Sequence, residues 1–237
     1  MASYALILSC EHGGNHIPPA YIHLFEAQEK VLQSHQGWDP GTLNLAQALS
    51  DHLGIPLVAC TISRLLIEMN RSLDNPELFS RFTSSLSVYE KSKLIQSVYL
   101  PYRRRVEKQL DIYQKNGKIS LHFSIHSFTP IFNGSIRDTD IGILFDPARP
   151  LEVDICAQIK AFLQNALPDM QVIYNSPYKG TDDGLTTYLR TKYAANTYAG
   201  VEIEINQKWV NTEKFDLIQT SLQTILYSFI KRKPGIE

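Results

Sequence analysis

The sequence has few cysteines, no excess of either charge and no long hydrophobic run. Its 237 residues carry a formal net charge of −1. No apolar run reaches the ~18 residues of a membrane span, and the basic stripe typical of nucleic-acid binders is missing. The N-terminal MASYALILSC lacks the basic start of a signal peptide. We therefore expect a cytoplasmic protein that binds neither a membrane nor nucleic acid.

The cysteines also exclude a disulfide framework. Cys10, Cys60 and Cys156 are odd in number and have no metal-type spacing. This predicts reduced, mostly buried thiols. With 43% hydrophobic residues and no repeat or low-complexity linker, we predict a single domain over residues 1–237.

Strand and helix patterns alternate along the chain. Apolar runs predict strands at 5–9, 56–62, 119–126, 141–145, 171–175 and 200–205. Helical spacing predicts helices at 42–53, 87–115, 151–167, 184–193 and 215–230. This order favours an α/β fold, with a mixed, mainly parallel sheet and helices on both faces.

Three smaller features complete the pattern. Pro101 interrupts the longest helical stretch and is expected to kink or split it. The arginine run 103–105 is interpreted as a solvated helix face. The stretch 63–71 is ambiguous between strand and loop.

Polar residues follow several of the predicted strands and turns. Glu11 and His12 end the first strand, Asp39 lies in a Trp-Asp-Pro-Gly turn, and His126 ends the third strand. Two histidines and a carboxylate leave an open position on zinc for water, as a hydrolase requires. Asp39 could instead cap the helix at 42–53. Glu11 competes with Asp39 as the acidic ligand. However, Glu11 is adjacent to His12, and adjacent strand residues point to opposite faces, which argues against both binding the same metal.

Two acids share one face of the last predicted strand. Glu202 and Glu204 are two residues apart, so their side chains point the same way. Buried acids are costly without partners. One of them would serve as the general base of a hydrolase.

Asn70 and Arg71 are candidates for binding a substrate carboxylate. An arginine fork binds a carboxylate bidentately, and an adjacent amide can hold a second oxygen. The alternative for Arg71 is a structural ion pair, for instance with Glu77. Arg64 could assist the pair, or could form an ion pair with Glu68 at i+4.

Four stretches, in order, resemble the N-formylglutamate amidohydrolase family. They are Ser9–Gly14 with Ile17-Pro18, Gly37–Gly41, Ser63–Ser72 and Val201–Gln207. The resemblance implies a fold related to zinc carboxypeptidases and aspartoacylases. It also implies one zinc ion per chain and hydrolysis of the N-acyl amide of a small amino acid such as N-formylglutamate.

The resemblance also implies roles for individual residues. It assigns the metal to His12, Asp39 and His126, the general base to Glu204 with Glu202 as the fallback, and substrate contacts to Asn70, Arg71 and Lys179. Arg64 is added to the substrate contacts as a neighbouring cation. Lys179 lies in a Lys-Gly loop expected to close over the substrate.

The first motif marks a divergent branch. Histidine-pathway members of the family usually carry a Pro-His-Ser-Gly-like turn, where this chain has Cys-Glu-His-Gly-Gly. We interpret Gly13 and Gly14 as room for zinc and substrate beside the backbone. Two alternative functions are a zinc amidase or peptidase acting on peptide or peptidoglycan-type amides, and a non-catalytic small-molecule binder on the same scaffold.

Overall fold

A six-stranded mixed sheet organises the residues that the computed structural model describes, 3–231. The strands, in chain order, are β1 (Tyr4–Cys10), β2 (Leu57–Ala59), β3 (Ile119–Phe128), β4 (Ile131–Phe132), β5 (Ser135–Ile136), β6 (Ile141–Leu144), β7 (Val172–Tyr174) and β8 (Tyr198–Asn206). The sheet order is β2-β1-β3-β8-β6-β7, while β4 and β5 form a separate hairpin. All pairings in the sheet are parallel except β6 with β8. The mixed, mainly parallel sheet is confirmed.

Helices cover both faces of this sheet, as predicted. They are α1 (Glu29–Leu32), α2 (Thr42–Leu53), α3 (Val88–Leu94), α4 (Leu100–Lys115), α5 (Pro150–Ala166), α6 (Leu185–Lys192) and α7 (Glu213–Lys231). Apolar side chains of α2, α5 and α7 form one core cluster, and those of α4 and α6 form a second. Within residues 3–231 no helix is long and apolar enough to span a membrane.

The predicted elements differ from the structure mainly at their ends. β2 is shorter than the predicted strand at 56–62, whereas β8 extends beyond 200–205 in both directions. Residues 63–71 form turns rather than a strand. The β4–β5 hairpin was not predicted, although its Asn133-Gly134 turn has positive φ at both residues (50° and 79°), which is the usual Asn-Gly hairpin signal.

Pro101 interrupts its helix as predicted. A wider turn, Ile95–Tyr99, joins α3 to α4, and the Leu100 amide donates to the Ile95 carbonyl five residues back. Proline has no N–H and its ring clashes with the preceding turn of a regular helix. The wider turn accommodates it without ending the helix.

The arginine run 103–105 is only partly solvated, so the interpretation as an exposed face was wrong for its first residue. Arg103 is 3% exposed, and its guanidinium carbon lies 4.6 Å from the Tyr99 ring centroid and 4.8 Å from that of Tyr188. Arg104 and Arg105 are exposed. The helical period turns Arg103 toward Tyr188 of α6 and the Arg71 carbonyl, while Arg104 and Arg105 face solvent.

The two glycines after β1 do not make room for a metal, which corrects their interpretation. A Cβ added to Gly14 would lie 2.6 Å from the Thr61 carbonyl oxygen, and one on Gly13 would lie 3.1 Å from the Cys60 carbonyl oxygen. The glycines therefore let the turn pass against the backbone that continues β2.

The three cysteines are free and buried, as predicted. Burial raises the pKa of the Cys10 thiol to about 12 and that of Cys60 to about 11. At neutral pH both are protonated and poor nucleophiles.

Candidate active site

His12, Asp39 and His126 meet at the carboxyl ends of the neighbouring strands β1 and β3. Oδ2 of Asp39 lies 3.2 Å from Nδ1 of His12 and 3.0 Å from Nδ1 of His126. One ligand atom from each residue lies within 4.8 Å of the others. All three side chains are buried. The two nitrogens and one oxygen form a donor set of the kind that zinc takes in hydrolases.

Each histidine is held from behind by a separate glutamate. Nε2 of His126 lies 2.9 Å from Oε2 of Glu11, and Nε2 of His12 contacts Oε1 of Glu68. Such carboxylate contacts fix the ring orientation of a metal-binding histidine. They leave both Nδ1 atoms facing Asp39, where a metal would bind. The donor set therefore fits a divalent metal.

The electrostatics of the group suit a cation. Burial opposes ionisation of Asp39, but His12, His126 and Arg64 hold the pKa of that carboxyl well below its usual range. Burial also opposes the imidazolium of His126, yet hydrogen bonds to Asp39 and Glu11 raise its pKa well above normal. The carboxylates thus attract positive charge to this point, which protons or a metal ion can supply.

Glu68 belongs to the site and was not among the predicted site residues. Its Oε1 accepts a hydrogen bond from the backbone N–H of Asn70 (2.9 Å) and also contacts His12. Its Oε2 lies 2.7 Å from Nε of Arg64, so the expected i+4 ion pair is present. Arg64 also reaches Oδ1 of Asp39 at 3.1 Å. Arg64 therefore bridges the two carboxylates that contact His12.

The alternatives for the acidic ligand differ in geometry. Glu11 contacts Nε2 of His126 rather than the Nδ1 side that faces Asp39, and its oxygens are taken by His126, Ser124 and Tyr102. Asp39 does not cap α2, because the cap position is Gly41 and no side-chain capping bond is present there. Its carboxylate is thus available to a metal.

Glu204 faces this group from the next strand. It pairs in register with His126 and is 5% exposed. Its Oε2 is buried and has no hydrogen-bond partner within residues 3–231. Burial, together with the charges of Asp39 and Glu202, raises the pKa of Glu204 to about 7 despite the attraction of His126. Such a carboxyl can both accept and return a proton near neutral pH.

A cavity of about 270 Å³ opens at the group of His12, Asp39 and His126. Asn70 and Arg71 also line this cavity. Oδ1 of Asn70 accepts a hydrogen bond from the backbone N–H of Leu185 at 2.6 Å. The side-chain nitrogen of Asn70, Nδ2, therefore remains as a donor for a ligand. Nη1 of Arg71 donates to the Asp183 carbonyl at 2.9 Å. The alternative ion pair with Glu77 is present but long, at 3.9 Å.

The backbone of Arg71 is held by groups from α4 and the turn before it. Its carbonyl oxygen accepts from Nη2 of Arg103 at 2.7 Å and from the Tyr99 hydroxyl at 2.6 Å. Arg103 also donates to the Met69 carbonyl at 3.3 Å. These contacts fix the segment that carries Asn70 and Arg71.

Aromatic and basic side chains form the mouth of the cavity. Phe132 from the β4–β5 hairpin, Tyr178 and Lys179 line it. Lys179 is exposed, and its amide donates to Oδ2 of Asp182 at 3.0 Å. The guanidinium of Arg137 lies 4.6 Å from the Phe132 ring centroid and 5.1 Å from that of Tyr178, which links the hairpin to the Lys179 loop.

The chain matches a known family over most of its length. Residues 4–210 match the family model for N-formylglutamate amidohydrolase. The chain belongs to this family. As an N-formylglutamate amidohydrolase family member it is an enzyme, a hydrolase of linear amide C–N bonds. The resemblance stated from the four sequence motifs is confirmed.

One relative is similar to this chain in sequence, and two solved structures are similar to it in fold. An N-formylglutamate deformylase of Pseudomonas aeruginosa is 22% identical over 184 residues, 66% of this chain and 68% of that protein. The crystal structure of a gene product of Agrobacterium tumefaciens superposes on this chain with a TM-score of 0.79 and 28% sequence identity. The match covers 97% of this chain and 90% of the Agrobacterium chain. The N-formylglutamate amidohydrolase of Ralstonia eutropha has the same fold, with a TM-score of 0.72, 19% identity and coverage of 98% and 96%.

Proposed function

We propose that this family member is a zinc-dependent amidohydrolase. It would cleave the N-acyl amide, of formyl type, of a small amino acid that carries a free α-carboxylate, such as N-formylglutamate. The observation that carries the proposal is the buried, unpartnered Oε2 of Glu204 beside the His12, Asp39 and His126 group. We further expect the protein to act in the cytoplasm on a small molecule.

His12 and His126 would hold the zinc through Nδ1, and Asp39 through a carboxylate oxygen. When bound, the metal supplies a Lewis acid and lowers the pKa of water toward about 7. Glu11 and Glu68 keep the two imidazole rings in the orientation that binding needs. Arg64 is best assigned to holding Asp39 and Glu68; a direct contact of Arg64 with the substrate stays a prediction.

Glu204 is the proposed general base. It takes a proton from the attacking water and returns it to the nitrogen of the departing amino acid. Both transfers require a carboxyl whose pKa lies near the working pH, and burial raises the pKa of Glu204 to about 7. Glu202, the fallback, is less suited because its Oε1 accepts a hydrogen bond from Thr186 at 2.6 Å.

Asn70 and Arg71 would orient the α-carboxylate. The guanidinium supplies charge and a planar pair of donors, and Nδ2 of Asn70 supplies one more donor. Positioning of this kind converts binding energy into correct alignment of the amide with the attacking water. Lys179, exposed on the loop at the cavity mouth, would reach the substrate from the solvent side.

A substrate panel with added zinc tests the proposal. Formyl, acetyl and peptidyl derivatives of several amino acids are supplied to the wild type and to His12→Ala, with His35→Ala as a matched control because His35 is exposed. We expect release of the amino acid from formyl or acetyl substrates by the wild type and the control, and loss of turnover in His12→Ala. Turnover of peptidyl substrates alone would favour the peptide amidase, and an active His12→Ala variant would refute the metal site.

A further inference from the structure

The turn that precedes α6 contacts both residues proposed to bind the α-carboxylate. The carbonyl oxygen of Asp183 accepts a hydrogen bond from Nη1 of Arg71 at 2.9 Å, and the backbone N–H of Leu185 donates to Oδ1 of Asn70 at 2.6 Å. Gly184, between them, lies so close that an added Cβ would come within 3.0 Å of Oδ1 of Asn70. The turn therefore sets the orientation of the side-chain amide and of the guanidinium.

The side chain of Asp183 ties this turn to the segment that follows Arg71. Its Oδ2 accepts hydrogen bonds from the backbone N–H of Ser72 at 2.9 Å, from the Ser72 hydroxyl at 3.0 Å and from Nδ2 of Asn75 at 2.7 Å. Burial opposes ionisation, but these bonds and the charge of Arg71 lower the pKa of Asp183. The three donors therefore reach a carboxylate, which makes each bond stronger than one between neutral groups.

Asp183 lies in the wall of the cavity and not in the core. It is partly exposed and lines the cavity together with Asn70 and Arg71 on one side and Lys179 on the other. Its carboxylate thus joins two walls, the segment 70–75 and the loop 179–185. We expect such a contact to govern the geometry of the site more than the packing of the fold.

The guanidinium of Arg71 is held on one side. Nη1 donates to the carbonyls of Asn70 at 3.0 Å and of Asp183 at 2.9 Å, and Nε reaches Oε2 of Glu77 only at 3.9 Å. A carboxylate that binds bidentately takes two nitrogens of the fork, so within residues 3–231 the edge formed by Nε and Nη2 is the one left for it. The two backbone carbonyls on Nη1 decide which way that edge faces.

We propose that Asp183 is a positioning residue for the substrate α-carboxylate, acting through Arg71 and Asn70. This inference rests on the proposed function, because it takes those two residues as the carboxylate site. Without the Asp183 carboxylate, Ser72 and Asn75 lose their common acceptor, and the guanidinium of Arg71 is free to turn. A substrate is then held less well in line with the attacking water.

The rival role of Asp183 is electrostatic. A carboxylate in the cavity wall also repels an anionic substrate. If repulsion were its main effect, removing the charge would strengthen binding of that substrate. The two roles therefore predict changes of opposite sign.

N-formylglutamate and its α-carboxamide separate a positioning role from a structural one, because the second compound lacks the charge that Arg71 would bind. The zinc-supplemented wild type is compared with Asp183→Ala and with the isosteric Asp183→Asn, which stays interpretable if the alanine variant does not fold. Asp74→Asn is the matched control, because Asp74 is exposed on the same segment and its substitution removes the same charge. Arg71→Ala, alone and combined with each Asp183 variant, completes a double-mutant cycle.

Asp183→Ala should lower kcat/KM for N-formylglutamate roughly 10–100-fold, the range for hydrogen bonds to a charged group, and the change should lie mainly in KM. Asp183→Asn, which keeps one acceptor oxygen, should lose less. Turnover of the α-carboxamide should change little in either variant, and Asp74→Asn should behave as the wild type. In the Arg71→Ala background, replacing Asp183 should have little further effect, because the group that it positions is absent.

Binding of the two compounds to Glu204→Gln, measured by calorimetry, gives a second readout that does not depend on turnover. The preference for N-formylglutamate over its α-carboxamide should fall when Asp183→Ala or Asp183→Asn is added. Thermal unfolding of each variant is followed in parallel.

Three results would overturn the inference while leaving the proposed function intact. They are equal losses for the acid and the amide in the Asp183 variants, losses that add in full to those of Arg71→Ala, and tighter binding of the acid once Asp183 is replaced. If neither compound is hydrolysed, the proposed function fails. The calorimetry still decides on Asp183 in that case, since equal binding of acid and amide by Glu204→Gln would contradict its role.

Discussion

Glu204 on β8 lies directly beside His126 on β3, as its partner in the parallel register. The pairing brings Oε2 of Glu204, a buried oxygen with no hydrogen-bond partner among residues 3–231, next to the proposed metal group. Glu204→Gln keeps the size of the side chain but removes its basicity. We predict a loss of kcat of roughly 10²–10⁴-fold, the usual worth of a general base, with zinc content unchanged. Rates and bound zinc are measured on the same preparation. A Gln variant with near wild-type kcat would reassign the base, in the first place to Glu202.

The pH dependence follows from the raised pKa of Glu204. A carboxyl with a pKa of about 7 is increasingly protonated as the pH falls below that value, and the protonated acid cannot accept a proton from water. We predict that kcat/KM falls with decreasing pH on the acid side, with a midpoint at or below pH 7, because a bound cation would favour the carboxylate. The profile is measured with protein stability followed in parallel. A flat profile from about pH 5 to about pH 8 in a folded protein would contradict the role of Glu204 as base.

The glutamates behind the histidines should affect metal binding more than folding. Glu68→Gln and Glu11→Gln each remove the charge that orients one imidazole ring. We expect each to weaken zinc binding by roughly 10–100-fold. The affinity is measured by competition with a chelator, and thermal unfolding of the metal-free forms serves as the control. Unchanged zinc affinity in both variants would mean that the two contacts only maintain the fold.

Arg103 should influence substrate binding although it lies outside the cavity. It holds the Arg71 carbonyl from behind, at 2.7 Å. Arg103→Met removes that donor and should raise KM for carboxylate substrates several-fold, with kcat and zinc content changed much less. Arg104→Met is the matched control, because Arg104 is the exposed neighbour on the same helix. If the two variants have the same KM, Arg103 does not position Arg71.

The sequence anticipated the parts of the site that follow from strand ends. His12 and His126 come at the ends of strands that are recognisable from apolar runs, and parallel strands bring their carboxyl ends to one edge. The two-residue spacing of Glu202 and Glu204 likewise places both on one face, and both line the cavity.

Glu68 and Arg103 were missed for different physical reasons. Glu68 lies in an irregular segment, where no period tells which way a side chain points, so only its i+4 relation to Arg64 could be read. Arg103 did have a signal: with Tyr99, Val106 and Leu110 it falls on one helical stripe, and those three are buried. Three consecutive arginines indicated a solvated helix face, although the apolar stripe predicts that Arg103 is buried.

The most direct test of the central claim is the recovery of activity on titrating metal-stripped protein with zinc. We predict that the stripped protein is inactive, that activity rises linearly and levels off at about one zinc per chain, and that His126→Ala neither binds this zinc nor recovers. A stripped protein that hydrolyses formyl-amino acids at the full rate, with no response to zinc, would contradict the account.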